Sequence, residues 1–101
     1  MYRATTPTFI LTVPDTYDLT ECSNIYATFQ QQNGVSLTKS GEDLDISAHE
    51  VDVYLDQAET LLFKAGAVNI QLNFTFPGGQ RACTDIVKIP MKENLLPEVL
   101  S

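Results

Sequence analysis

The sequence predicts an all-β fold: an antiparallel two-sheet β-sandwich, immunoglobulin-like, with about seven strands and one short helix before the sixth. Three observations carry this. Val68–Phe76 alternates apolar and uncharged polar residues without a break, turn signals recur along the chain, and a single stretch, Asp56–Phe63, reads as helix. Strand side chains point alternately to opposite faces, so Val68, Ile70, Leu72, Phe74 and Phe76 form one apolar side, which a helix would scatter. A small barrel is the alternative arrangement of the same strands.

In chain order, Thr8–Val13 is a β-branched first strand with Phe9, Leu11 and Val13 on one face, stopped by Pro14 and Asp15. Asn24–Gln31 alternates again, with Ile25, Ala27 and Phe29 inward. A three-residue Gln32-Asn33-Gly34 loop pairs Phe29 with Leu37 in the strand Val35–Lys39 and keeps the apolar face whole. A two-residue loop would turn Leu37 outward. Ser40–Asp43 leads into the short strand Leu44–Ile46, and Ser47–Glu50 into Val51–Leu55. In the helical stretch Asp56 and Glu59 have capping-box spacing, Lys64 suits the negative C-terminal end, and Gly66 suits a left-handed exit.

After the long strand, Pro77-Gly78-Gly79-Gln80 turns the chain into Arg81–Ile89. Pairing Phe76 with Arg81 places Cys83, Val87 and Ile89 on the apolar face and forces Asp85 there opposite Leu72. Either a bulge shifts the register or Asp85 reaches water at an edge. Pro90 ends this strand. The sandwich domain thus spans 1–90. Residues 91–101 form an apolar tail carrying Leu95, Leu96, Val99 and Leu100, which folds back on its own sandwich or docks on a neighbour.

The 101 residues suit one domain able to bury a core without metal or disulfide. Net charge is −7, and seven of the 13 acids fall within residues 42–59, a window without Lys or Arg. Such a surface repels phosphate backbones and anionic bilayers, so neither nucleic acid nor membrane is an expected partner. Cys22 and Cys83 are expected as two separate small apolar residues. The N-terminus has no apolar signal region and no run reaches transmembrane length, so synthesis in a bacterial cytoplasm is expected.

No residue pattern points to catalytic chemistry. Asp43 and Asp45 lack the calcium-loop spacing and its glycine, so they read as a solvated row that also protects an edge strand. Asp85 is the one acid with apolar neighbours, but it has no partner carboxylate for acid–base work. His49 is the only histidine and reads as a surface-turn residue. Gly78-Gly79 joins two strands, not a strand to a helix as a phosphate loop requires. The expectation is a non-enzymatic protein with no cofactor and no metal.

Two features suggest contact surfaces. The outward row Asn69, Gln71, Asn73 and Thr75 carries no charge, and reads equally as a hydrogen-bonded contact or as ordinary wet strand surface. Replacing Gln71 and Asn73 with lysines is expected to leave folding intact and weaken assembly. The second feature is the tail cluster Leu95, Leu96, Val99 and Leu100.

Several phrases carry a family resemblance: Tyr2-Arg3-Ala4-Thr5-Thr6-Pro7-Thr8, Leu55–Phe63, Gln71-Leu72-Asn73, Gly79-Gln80-Arg81-Ala82 and Asn94–Leu100. Together the chain resembles the small proteins encoded in tail-module regions of Firmicutes phages and prophages, which are similar to the N-terminal domain of baseplate upper proteins. The resemblance implies a β-sandwich virion component, tail or baseplate associated, that assembles with itself as a homo-oligomer or with other tail and baseplate proteins. The long helical segment that follows this domain in full-length baseplate proteins has no counterpart here. Two other functions fit the composition. One is a carbohydrate- or receptor-binding module using Tyr2, Tyr26 and Tyr54 as stacking aromatics. The other is an acidic immunity-like or inhibitor protein using residues 42–59 against a basic partner.

Overall fold

The computed structural model describes residues 1–100. Eight strands run in the order β1 (Thr8–Thr12), β2 (Asn24–Gln30), β3 (Ser36–Ser40), β4 (Leu44–Ile46), β5 (Glu50–Tyr54), β6 (Gly66–Thr75), β7 (Arg81–Cys83) and β8 (Val87–Met91). The helix α1 (Gln57–Leu61) precedes β6, and single 3-10 turns lie at Leu19–Glu21 and Gly41–Asp43. One antiparallel sheet has the order β1-β5-β4. The other has β3-β2-β6, with β7 and then β8 along the far side of β6. The fold class is therefore the one the alternation predicts, an antiparallel sandwich. Its strand order matches the immunoglobulin pattern B-E-D against C′-C-F-G, with β7 and β8 sharing the last position.

The place of the pattern's first strand, beside β1, is open among the described residues. Met1–Arg3 instead runs parallel to the end of β8, through a Tyr2–Lys92 bridge. The Met1 ammonium donates to the Pro90 carbonyl (2.7 Å) and Lys92 N–H to the Met1 carbonyl (2.7 Å). Pro90 does not end the last strand as expected. It pairs opposite Ala67, and Met91 beyond it is buried in the core. Missing only its own N–H, a proline is tolerated where that group has no ladder partner.

Local chemistry explains the turns. Phe29 stands opposite Leu37, Gln31 N–H meets the Val35 carbonyl (2.9 Å), and Gly34 has φ +95, so the hairpin loop has three residues. Asp56 caps α1 by accepting from Glu59 N–H (2.7 Å), and the Glu59 carboxylate accepts from Asp56 N–H (2.9 Å). Lys64 does not serve the helix end. Arg3 does, donating to the carbonyls of Phe63 (2.8 Å) and Leu61 (3.4 Å). A long, forked guanidinium arriving from another segment can meet carbonyls that a lysine just past the helix end cannot.

The strand after the Pro77 turn departs from the expected pairing. Phe74 faces Ala82 and Asn73 faces Cys83, whereas farther along Ile70 faces Val87 and Val68 faces Ile89. Two residues of β6 (Gln71, Leu72) therefore oppose three of the partner (Thr84, Asp85, Ile86), which is a bulge. Ala82, not Cys83, points inward, and Cys83 is exposed on the outer face. Asp85 lies in the bulge and reaches water. Thr84 holds the irregularity together. Its N–H donates to the Leu72 carbonyl (3.0 Å), its hydroxyl accepts from Leu72 N–H (3.1 Å), and its carbonyl accepts from the Gln71 amide (2.8 Å).

The core is made by the inward faces of both sheets plus Leu55 and Phe63 beside α1. Phe29, Phe63, Phe74, Leu72, Ile70, Val51 and Val53 are fully buried. Each such side chain contributes roughly 1.5–3 kcal/mol through removal from water. At one end Tyr17 meets Phe74 edge-on (5.2 Å between centroids) and lies over Phe76 (6.2 Å).

Candidate interaction surfaces

The outward row of β6 is half-buried and largely engaged within its own sheet. The Gln71 amide is spent on the bulge, and Asn73 accepts from the Arg81 guanidinium (2.9 Å). Asn69 stands between Gln30 and Lys88, and its side-chain oxygen is buried without a hydrogen-bond donor. Thr75 lies between Asn24 and Arg81. The row is thus a set of cross-strand ties more than a free surface.

The tail is the reverse case, with its backbone held and its side chains free. The Gln57 side chain donates to the Leu100 carbonyl (3.0 Å) and accepts from Leu100 N–H (2.7 Å). Asn94 donates to the Arg3 carbonyl (2.9 Å) and accepts from Leu96 N–H (3.0 Å), and the Glu93 carboxylate pairs with the Arg3 guanidinium (2.8 Å). Arg3 holds Glu93 below its usual pKa, chiefly by hydrogen bonding. Leu95 nonetheless projects fully into solvent, and Leu96, Val99 and Leu100 remain at least half exposed.

A groove of about 610 Å³ opens between the edge of β1 and the β7–β8 bulge, floored by Phe9, Leu11, Leu72 and Phe74. It lies where the two sheets stand apart on the side of the open strand position. Ile10, Ile86 and Val87 are exposed large apolar residues of β1 and the bulge region.

Of the seven acids in the acidic window, Asp45, Glu50 and Asp52 lie on the outer face of the three-stranded sheet, while Glu42 and Asp43 fall in a 3-10 turn and Asp56 and Glu59 cap α1. Asp45 stands opposite Asp52, with Glu50 two residues along β5. Like charges directly opposite each other are unfavourable in a sheet. The Tyr54 hydroxyl donates to Asp45 (2.9 Å), and this hydrogen bond, with the surrounding negative charge, raises the Tyr54 pKa. Among the described residues no three His, Cys, Asp or Glu side chains cluster as metal ligands. His49 Nδ1 lies 2.8 Å from the Tyr17 carbonyl. Both cysteines are free, and burial, then the nearby Asp18 and Glu21 charges, push the Cys22 thiol up. Tyr26 and Tyr54 lie on the outer faces of different sheets, and Tyr2 sits beneath the Lys92 ammonium (5.5 Å), so the three tyrosines form no common stacking platform.

Sequence reasoning missed a second, cationic surface. A cavity of about 310 Å³ is lined by Lys64 and Lys88 together with Gln32, Asn33 and Asn69, with Ala65 and Ala67 among its apolar walls. Both lysines are exposed and neither has a carboxylate partner among the described residues. No single segment announces it, since its parts come from a hairpin loop, the α1–β6 link and two strands. No family model, curated protein or solved structure matches the chain.

Proposed function

We propose that this protein is a non-enzymatic structural component of a phage or prophage virion, tail or baseplate associated, that acts through protein–protein assembly. Its partners are copies of itself or other tail and baseplate proteins. The observation that carries the reading is the tail, whose backbone is fixed by Gln57 while Leu95, Leu96, Val99 and Leu100 face solvent. An apolar cluster held outward, with the ordering cost of its backbone already met, suits contact with another chain. The family resemblance supplies the virion setting, and the charge of −7 disfavours nucleic acid as the partner.

The test is mass spectrometry of purified, nuclease-treated particles induced from a host carrying the gene, with cross-linking to identify neighbours. The protein is expected in particles at a fixed ratio to tail proteins. Its absence from intact particles would refute the reading. A truncation after Asn94, which spares the Arg3 contacts, is expected to fold and to lose particle incorporation.

A further inference from the structure

The sandwich sorts its charges by sheet. Strands of the five-stranded sheet hold no carboxylate, only Lys39, Arg81 and Lys88, although the chain carries 13 acids. Lys39 is satisfied internally by Glu59 (2.7 Å). Strands of the three-stranded sheet hold no cation, only Asp45, Glu50 and Asp52. Register places these three on the outer face: Asp52 opposite both Ile10 and Asp45, and Glu50 opposite Thr12. They form a negative ridge with the exposed Ile10 and Tyr54 beside it. On the other sheet, Lys88 and, from the α1–β6 link, Lys64 line one cavity with side-chain amides.

We infer that a second copy of this chain docks its Asp45–Glu50–Asp52 ridge onto the Lys64–Lys88 pocket of the first. The inference rests on the assembly reading above and names one contact within it. Complementary charge selects the occupant. In a molecule this acidic, two lysines without carboxylate partners converge on one cavity, and the opposite sheet presents carboxylates without cations. Gln32 supplies a further side-chain amide at the pocket for carboxylate oxygens, while the Asn33 amide already donates to Gln31 Oε1 (3.3 Å). The two patches lie on opposite sides of the sandwich, so the contact is heterologous. Such contacts leave one patch free on each end and propagate into rings or filaments.

Geometry also sets the strength. Three strands about 4.8 Å apart and five residues at about 3.4 Å each give a face of roughly 250 Å². Stable pairs bury about 800 Å² per partner, so this contact is weak alone and depends on concentration or on an array.

The experiment is sedimentation velocity with light scattering from about 10 µM to about 1 mM. Salt alone is a poor probe, because screening weakens the contact and also relieves repulsion between copies of charge −7. Charge reversal separates the two effects. Variant one, Glu50→Lys with Asp52→Lys, keeps the Tyr54–Asp45 hydrogen bond, and variant two is Lys64→Glu with Lys88→Glu. Each alone is expected to associate roughly tenfold or more weakly than wild type, and an equimolar mixture is expected to recover association. Circular dichroism melts confirm that each is folded. Should variant one be unfolded, Asp52→Asn against Lys88→Gln reads the same loss with smaller changes.

A wild type that stays monomeric throughout overturns the inference, as do variants that associate normally or a mixture that does not recover. Titration with inorganic phosphate adds a further arm. Phosphate binding by a protein that remains monomeric would make the pocket a small-anion site and overturn self-docking. A monomer still found in purified particles sinks this contact alone. A self-associating protein absent from particles sinks the virion reading and leaves the contact standing.

Discussion

Replacing Thr60 with valine removes one hydroxyl from a fully buried site while keeping the side chain's shape. That hydroxyl accepts from Thr5 N–H (3.1 Å) and has the carbonyls of Thr5 (3.0 Å) and Gln57 (3.1 Å) within donating distance. It is the clasp between α1 and the N-terminal segment, which in turn places Arg3 and, through it, Asn94 and the tail. In Thr60→Val the Thr5 N–H loses its partner beneath the helix, a cost of about 1–3 kcal/mol. For a domain of this size, about 2 kcal/mol lowers the melting temperature by roughly 10 °C. Thr60→Ser keeps the hydroxyl and loses one buried methyl, worth about 1 kcal/mol. Thermal and urea denaturation of both variants should therefore rank wild type above serine and serine above valine. A valine variant as stable as wild type would refute the argument, since the hydroxyl would then be contributing nothing that packing does not.

Three further predictions follow from the contacts. In a spectrophotometric pH titration, Tyr54 should ionise above the ordinary tyrosine value of 10.0, and Asp45→Ala should bring it back. The same shift gives a stability contribution present below that value and lost as pH rises through the folded pKa. Asp18 is held below its ordinary 3.8 by the Thr20 hydroxyl, then by Thr20 N–H and the charge of His49. Its contribution is present above that value and lost as pH falls through the depressed pKa, so urea midpoints of Asp18→Asn should fall less steeply in acid than those of wild type. Gln71→Leu should expose the Thr84 bulge, seen as faster amide hydrogen exchange near Thr84–Ile86 and a stability loss of about 1 kcal/mol. Unchanged exchange there would mean that Gln71 does not hold the bulge. For the same reason the double lysine replacement of Gln71 and Asn73 is not a clean assembly probe, because both side chains already tie strands together.

The candidate surfaces were legible to different degrees. Leu95, Leu96, Val99 and Leu100 stand out because four apolar residues follow a completed sheet. What the sequence hides is the anchor, Gln57, 43 positions before Leu100, whose side chain holds the Leu100 backbone. Alternation places the β6 row outward, but its partners Arg81 and Thr84 depend on the turn pairing after Phe76 and on the bulge beyond Cys83. The lysine pocket was invisible, since Lys64 and Lys88 belong to segments with no shared motif.

The sequence by itself determined what is local. Alternation assigned the inner face of β6, capping chemistry placed Asp56 and Glu59, and the demand that Leu37 face inward settled a three-residue hairpin loop. Each depends on residues a few positions apart, where strand and helix geometry leaves few choices. Tertiary structure alone decided the turn pairing of Arg81 with Thr75 that faces Cys83 outward, the bulge beyond it, the open strand position beside β1, and the Thr60–Thr5 clasp. It also separated a carboxylate ridge from a lysine pocket on opposite sheets. Those outcomes join residues far apart in the chain, and a single inserted residue or a change of strand order reverses which face each side chain occupies.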